Sequence, residues 1–141
     1  MPTKNLSDNK FLNLLVKHST WLYFGWVFFI ALLTLVPGSV LPKISWNFIS
    51  IDKTVHIIMF AMLSFLALVS GKLNSFKLFK KFTVVLAIIT TVGYGYVIEL
   101  IQSFIPERSY DLADLTADCV GTLVGYGLFL GMLKILQPKR H

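Results

Sequence analysis

Four long apolar runs organise the chain, roughly Trp21 to Val36, Thr54 to Ser70, Phe82 to Ile105 and Leu115 to Leu136. None shows the two-residue alternation of a barrel strand, and all lie near the ~17–25 mostly apolar residues that carry a helix across a bilayer. The hydrocarbon layer admits only helices and closed barrels, because backbone polar groups find no water there. The pattern therefore predicts an all-α chain, an integral membrane four-helix bundle over residues 21–136. Residues 1–20 read as a polar, basic arm with an interfacial helical turn over Phe11 to Val16, and residues 137–141 as a short basic tail.

Punctuation between the runs fits this division. Pro37, Gly38 and Pro42 close the first helix and Pro106 closes the third, since proline lacks the N–H that a helix interior needs. Asp52 is placed to cap the second helix, and Ser109 or Asp111 the fourth. Trp46 and Phe48 suit the headgroup level, where aromatic rings collect. Gly121 and Gly125, like Gly127 and Gly131, are four apart, the spacing at which small residues let membrane helices approach closely. Gly93 and Gly95 read the same way. A short internal similarity links Asp52-Lys-Thr-Val-His56 with Asp114-Leu-Thr-Ala-Asp118, each at the start of a helix that follows a proline-containing turn.

Composition narrows the class. Of the 141 residues 55% are hydrophobic and 14% charged, against about 25% charged in soluble domains; mean hydropathy is +0.71. The net charge of +6 does not point to nucleic acid, because of where it lies. Lys4, Lys10, Lys17, Lys72, Lys77, Lys80, Lys81, Lys134, Lys139 and Arg140 fall on one side of a four-span bundle, and Lys43, Lys53 and Arg108 on the other. The positive-inside rule then places both termini in the cytoplasm and the loops 37–53 and 106–114 outside. The first helix has a basic flank but no small-residue cleavage site, so it reads as an uncleaved signal anchor. A lone cysteine, Cys119, excludes an internal disulfide and behaves as a small hydrophobe.

Ionisable residues break this apolar background in one place. At ~1.5 Å per residue, His56 and Asp118 lie a turn inside the outer ends of helices two and four. Glu99 lies about two turns inside that of helix three, with Gln102 on its face. Asp52, Lys53, Arg108, Asp111 and Asp114 sit above them. Nothing polar is expected to line the inner half, which argues against a transport path. A charged side chain at the bilayer centre costs ~2.5 kcal/mol or more on the mildest scale. Caps, dipole pairing and phosphate contacts account for Asp52, Lys53, Arg108, Asp111 and Asp114. They account less well for His56, Glu99 and Asp118.

Asp52, Glu99, Glu107, Asp111, Asp114 and Asp118 face only Lys53, Arg108 and His56. If the acids converge, compensation must come from shared protons, a bound cation or a cationic ligand. A carboxyl pair with a histidine suits general acid–base work. An Asp-rich site with one histidine suits Mg²⁺ or Zn²⁺, with His56, Asp114 and Asp118 as potential ligands, the two acids being i and i+4 on one helix face. The catalytic candidates are thus His56, Glu99, Asp114 and Asp118, and the ligand-binding ones Asp52, Lys53, Gln102, Arg108 and Asp111. No cofactor is required by the sequence.

The series Asp52-Lys53-x-x-His56, Glu99-x-x-Gln102, Pro106-x-Arg108-Ser109 and Asp114-x-x-x-Asp118-x-x-Gly121-x-x-x-Gly125 resembles the VanZ-like family of small bacterial membrane proteins, over about residues 30–128. One departure matters: the family usually has Asn at the position of Asp118. That adds a negative charge and puts in doubt any role needing a neutral amide there. The resemblance implies a setting and no particular reaction. The family's namesake, from glycopeptide-resistance clusters, is associated with low-level resistance to teicoplanin without altered peptidoglycan precursors. Teicoplanin is a lipoglycopeptide that acts outside the cytoplasmic membrane.

The chain is therefore expected to present an outward-facing polar pocket that binds or modifies a cell-surface amphiphile. A membrane lipid, a lipid-linked cell-wall intermediate or a lipoglycopeptide would fit. Lys53 and Arg108 would hold an anionic headgroup, and Gln102 would orient Glu99. The alternative is a non-enzymatic partner subunit or envelope-stress protein whose polar residues only hold the bundle together.

Overall fold

A computed structural model of the chain describes residues 10–37, 39, 50–74 and 77–136. Four helices follow one another: α1 (Lys10–Thr34), α2 (Ser50–Val69), α3 (Lys77–Gln102) and α4 (Leu112–Leu136). A single wider π-helical turn, Ser70–Asn74, prolongs α2. No strand occurs among the described residues. Each helix contributes a stretch long and apolar enough to cross a membrane: Asn13–Thr34, Ile51–Leu73, Phe82–Gln102 and Leu112–Ile135. The chain is a multi-pass membrane protein built as a four-helix bundle. Large apolar side chains such as Trp21, Phe28, Ile89, Leu123 and Leu128 stay exposed, as a surface that meets hydrocarbon requires.

Three of the helices begin in sequence that reads as polar. α1 takes in most of the expected arm, and α3 begins at Lys77, inside the basic loop. Neither added stretch contains proline or glycine, so nothing interrupts the backbone ladder where the side chains turn polar. α2 also begins early, at Ser50, which puts Asp52 inside the first turn rather than at the cap; there its charge still complements the helix dipole.

α3 stops at Gln102, short of the expected Ile105. The N–H groups of Phe104 and Ile105 bond the carbonyls of Ile101 and Gln102 at 3.0 and 2.9 Å, three residues back. The chain thus tightens before Pro106, whose ring disfavours α geometry in the residue ahead of it. Glu107 then adopts a left-handed φ of 60°. Gly38, Pro42, Lys43, Trp46, Phe48, the arm before Lys10 and the tail 137–141 lie outside the described residues.

α2 packs most extensively on α4, and the two run parallel. Gly121 and Gly125 make the approach possible. A Cβ on Gly121 would lie 2.5 Å from the Ile57 carbonyl oxygen, and one on Gly125 would collide with that of Ala61. Ser64 Oγ donates to the Thr122 carbonyl at 3.0 Å across the same seam. Gly93, Gly127 and Gly131 depart from the packing expectation: nothing lies within 4 Å of a Cβ built on any of them. Gly127 and Gly131 line an apolar groove of about 830 Å³ along the open side of α2 and α4.

Hydrogen bonds to main-chain carbonyls fix α1 in place. Trp26 Nε1 donates to the Met59 carbonyl at 2.9 Å, and the Tyr94 hydroxyl to that of Val27 at 2.6 Å. Ile30, Met59, Phe60 and Leu63 are buried between these helices. Towards the π-helical turn lies a second apolar cluster of Leu68, Val69, Ala87 and Phe129. A cleft of about 240 Å³ at that end is lined in part by Thr20, Ser70, Thr83 and Thr90, with Thr20 Oγ1 2.8 Å from Ser70 Oγ. Hydroxyls thus line the half that the sequence reading left without polar groups.

Candidate functional site

The opposite end, where α1 and α3 finish and α2 and α4 begin, gathers the ionisable side chains. At its heart is a buried triad from three helices: His56 of α2 is 4% exposed, and Glu99 of α3 and Asp118 of α4 are both 0% exposed. His56 Nδ1 lies 2.8 Å from Asp118 Oδ1. One potential ligand atom from each of the three lies within 4.8 Å of the other two. Glu99 Oε2 accepts the backbone N–H of Asp111 at 3.1 Å. Glu99 Oε1 and Asp118 Oδ2 are buried without a hydrogen-bond partner among the described residues.

Local sequence explains this placement. Gly95 precedes Glu99 by one turn of α3, and a Cβ there would lie 2.6 Å from Asp118 Oδ2 and 3.0 Å from the Phe60 ring. Glycine leaves the space that the aspartate occupies. The His56 ring stacks against Phe60 with planes 4° apart and centroids 6.4 Å apart, which helps hold its orientation. Thr122 Oγ1 donates to the Asp118 carbonyl at 2.8 Å.

Above the triad lies a wetter rim. Lys53 Nζ bonds Asp114 Oδ1 at 2.7 Å and Asp111 Oδ2 at 3.2 Å. Asp111 caps α4: its Oδ1 accepts the Ala113 N–H at 2.7 Å, and its carbonyl accepts the N–H groups of Asp114 and Leu115, both at 3.2 Å. Of the two caps the sequence allows, Asp111 takes the role. The Ala113 N–H, followed by the Lys53 ammonium, holds the Asp111 carboxyl below the usual carboxylate range.

Asp52, His56 and Asp114 form a second group of potential ligand atoms within 4.8 Å of one another, with Asp52 exposed. Asp114 and Asp118 therefore fall in different groups, and His56 belongs to both. Their shared helix face does not make them a pair, because Lys53 and His56 of the parallel α2 meet them one each.

Gln102 and Arg108 face other partners. Gln102 Nε2 donates to the Thr34 carbonyl at 2.7 Å. It satisfies a carbonyl at the C-terminus of α1, where the sequence reading had it orienting Glu99. Arg108 Nε bonds the Val36 carbonyl at 3.4 Å, and Lys53, expected at a headgroup, is held between two aspartates. Phe60 and the Asp111 N–H carry no mark of the site in the sequence, where Gly95 reads as a packing residue only. The i, i+4 spacing of Gly95 and Glu99 is the signal that places that glycine at the site.

A model of the family described as VanZ/LLP1 matches residues 2–136, nearly the whole chain. No curated protein and no solved structure matches it.

Proposed function

Since the chain belongs to the VanZ/LLP1 family, we propose that it works at the outer face of a bacterial cytoplasmic membrane, where it binds or modifies the polar head of an amphiphile. The amphiphile is a membrane lipid, a lipid-linked cell-wall intermediate or a lipoglycopeptide such as teicoplanin. The observation that carries this reading is the convergence of His56, Glu99 and Asp118 from three helices, with two buried carboxylate oxygens that have no donor among the described residues. A bundle built only to hold itself together would pair such oxygens, because an unsatisfied buried polar atom costs ~1–3 kcal/mol.

Position supports the same reading. The triad lies near the ends of three apolar helices, where headgroup and hydrocarbon meet. The distribution of lysine and arginine favours an outward orientation for this end. With His56 Nδ1 bonded to Asp118, Nε2 is the ring nitrogen left to meet a bound head group or an ion that engages it. Lys53 adds a cation at the rim.

The test combines photo-crosslinkable lipids in membranes with the teicoplanin susceptibility of cells expressing the chain. His56→Ala and Glu99→Gln are expected to lose labelling and phenotype while still inserting and folding. Full retention of both properties by both variants would sink the proposal. Labelling that is fully retained at a temperature where each variant is still folded, and falls only with its unfolded fraction, would favour the non-enzymatic alternative, in which the polar residues serve the fold.

A further inference from the structure

We infer that His56, Glu99 and Asp118 hold a divalent transition-metal cation, best matched by Zn²⁺, in the dry interior of the bundle. The inference rests on the site proposed above and names its cofactor. The donor set comes first. One imidazole nitrogen and two carboxylates, each from a different helix, place ligand atoms within 4.8 Å of one another. Zinc binds such nitrogen and oxygen atoms at ~2.0–2.2 Å, so tetrahedral ligands around one ion lie ~3.3–3.6 Å apart, and three atoms already within 4.8 Å of one another reach that spacing by a small inward shift.

Charge points the same way. Glu99 and Asp118 are fully buried, and isolated charges in a low-dielectric interior are costly. Lys53, the cation at the rim, is engaged by Asp111 and Asp114. A single divalent ion neutralises two carboxylates beside a neutral imidazole. It also supplies a partner for Glu99 Oε1 and Asp118 Oδ2, which no described donor reaches. The imidazole favours zinc over the hard cations Mg²⁺ and Ca²⁺.

The surroundings resemble those that hold metal ligands in place. The Asp111 N–H fixes Glu99 Oε2, Phe60 stacks on the His56 ring, and Gly95 leaves room for Asp118 Oδ2. The neighbouring group of Asp52, His56 and Asp114 is a poorer site: Asp52 is exposed, and Asp114 lies 2.7 Å from the Lys53 ammonium. Three protein ligands leave a fourth position for water or a substrate oxygen, the arrangement of catalytic rather than structural zinc.

The test uses the full chain, free of any histidine tag, purified in detergent. It is stripped with a chelator, titrated with Zn²⁺ and desalted. Metal content and thermal unfolding are then read. The wild type is expected to retain about one zinc per chain and to gain thermal stability with it. Glu99→Gln and Asp118→Asn are expected to lose affinity by ~100-fold or more, while Asp52→Asn and Lys53→Ala keep it.

A wild type that retains no zinc and shows no zinc-dependent unfolding shift overturns the inference, whether or not the variants fold. So does zinc retained undiminished by both triad variants, or lost only in Asp52→Asn. Lipid labelling by a chain that binds no zinc would leave the amphiphile reading standing and remove this one. Zinc bound at the triad of a chain that labels no lipid would do the reverse.

Discussion

The triad and the rim lie about one helical turn apart, yet different physics governs them. In the rim, Lys53 meets two aspartates and Asp111 also caps α4, so nearly every group has a partner. The side chains of Lys53 and Asp111 are 23% and 43% exposed, however, and water competes for each bond. The triad has fewer bonds, with two oxygens that meet no donor among the described residues, but its three side chains are almost wholly out of contact with solvent. Depth, more than the number of partners, decides what each contact contributes. A well-paired rim can be worth less than a single buried histidine–aspartate contact.

The largest effect that tests this contrast is His56→Leu, which strands Asp118 in the interior. It is expected to cost ~3–5 kcal/mol, as breaking a buried pair does. The double variant His56→Leu/Asp118→Leu should recover most of that loss. Equilibrium unfolding in detergent measures both, and a single-variant cost no larger than that of a rim variant would erase the distinction.

Gly95→Ala comes next. Its Cβ would press on Asp118 Oδ2 and Phe60, and overpacking of this kind costs ~1–3 kcal/mol. Gly93→Ala, with open space around it, should be neutral or stabilising, because alanine is the better helix former by up to ~1 kcal/mol. Equal losses at the two glycines would mean that the triad is not tightly packed. The smallest effect belongs to the rim: Lys53→Ala is expected to cost ~1 kcal/mol. Raising the salt to ~1 M should weaken the wild type towards the variant. Salt sensitivity of the same size at His56 would show that the triad too is wet.

The helix count and the convergence of His56, Glu99 and Asp118 were legible because both follow from one dimension of the chain: the length of an apolar run and the rise per residue. Helix starts were not, since a backbone ladder continues past a change in polarity until something such as proline stops it. Lys10 and Lys77 show this. Partners across helices were also hidden. Gln102 looks like a companion of Glu99 along α3, but its amide bonds the Thr34 carbonyl at the C-terminus of α1. The two glycine pairs of α4 have identical spacing and opposite surroundings, because only Gly121 and Gly125 fall on the face that meets α2. Spacing defines a face of a helix; the neighbour that covers it depends on the packing of the whole bundle.

The parallel pairing of α2 with α4 also sets a timetable for synthesis. The partner of His56 lies 62 residues further along the chain, and that of Ser64 lies 58. At ~5–20 residues per second, α2 waits ~3–12 s after its histidine is made before Asp118 exists. During that interval the nascent chain carries His56 and Ser64 on a helix whose closest neighbour has not left the ribosome. The last helix is thus the keystone of the bundle, and the moment of its insertion is when the interior becomes dry.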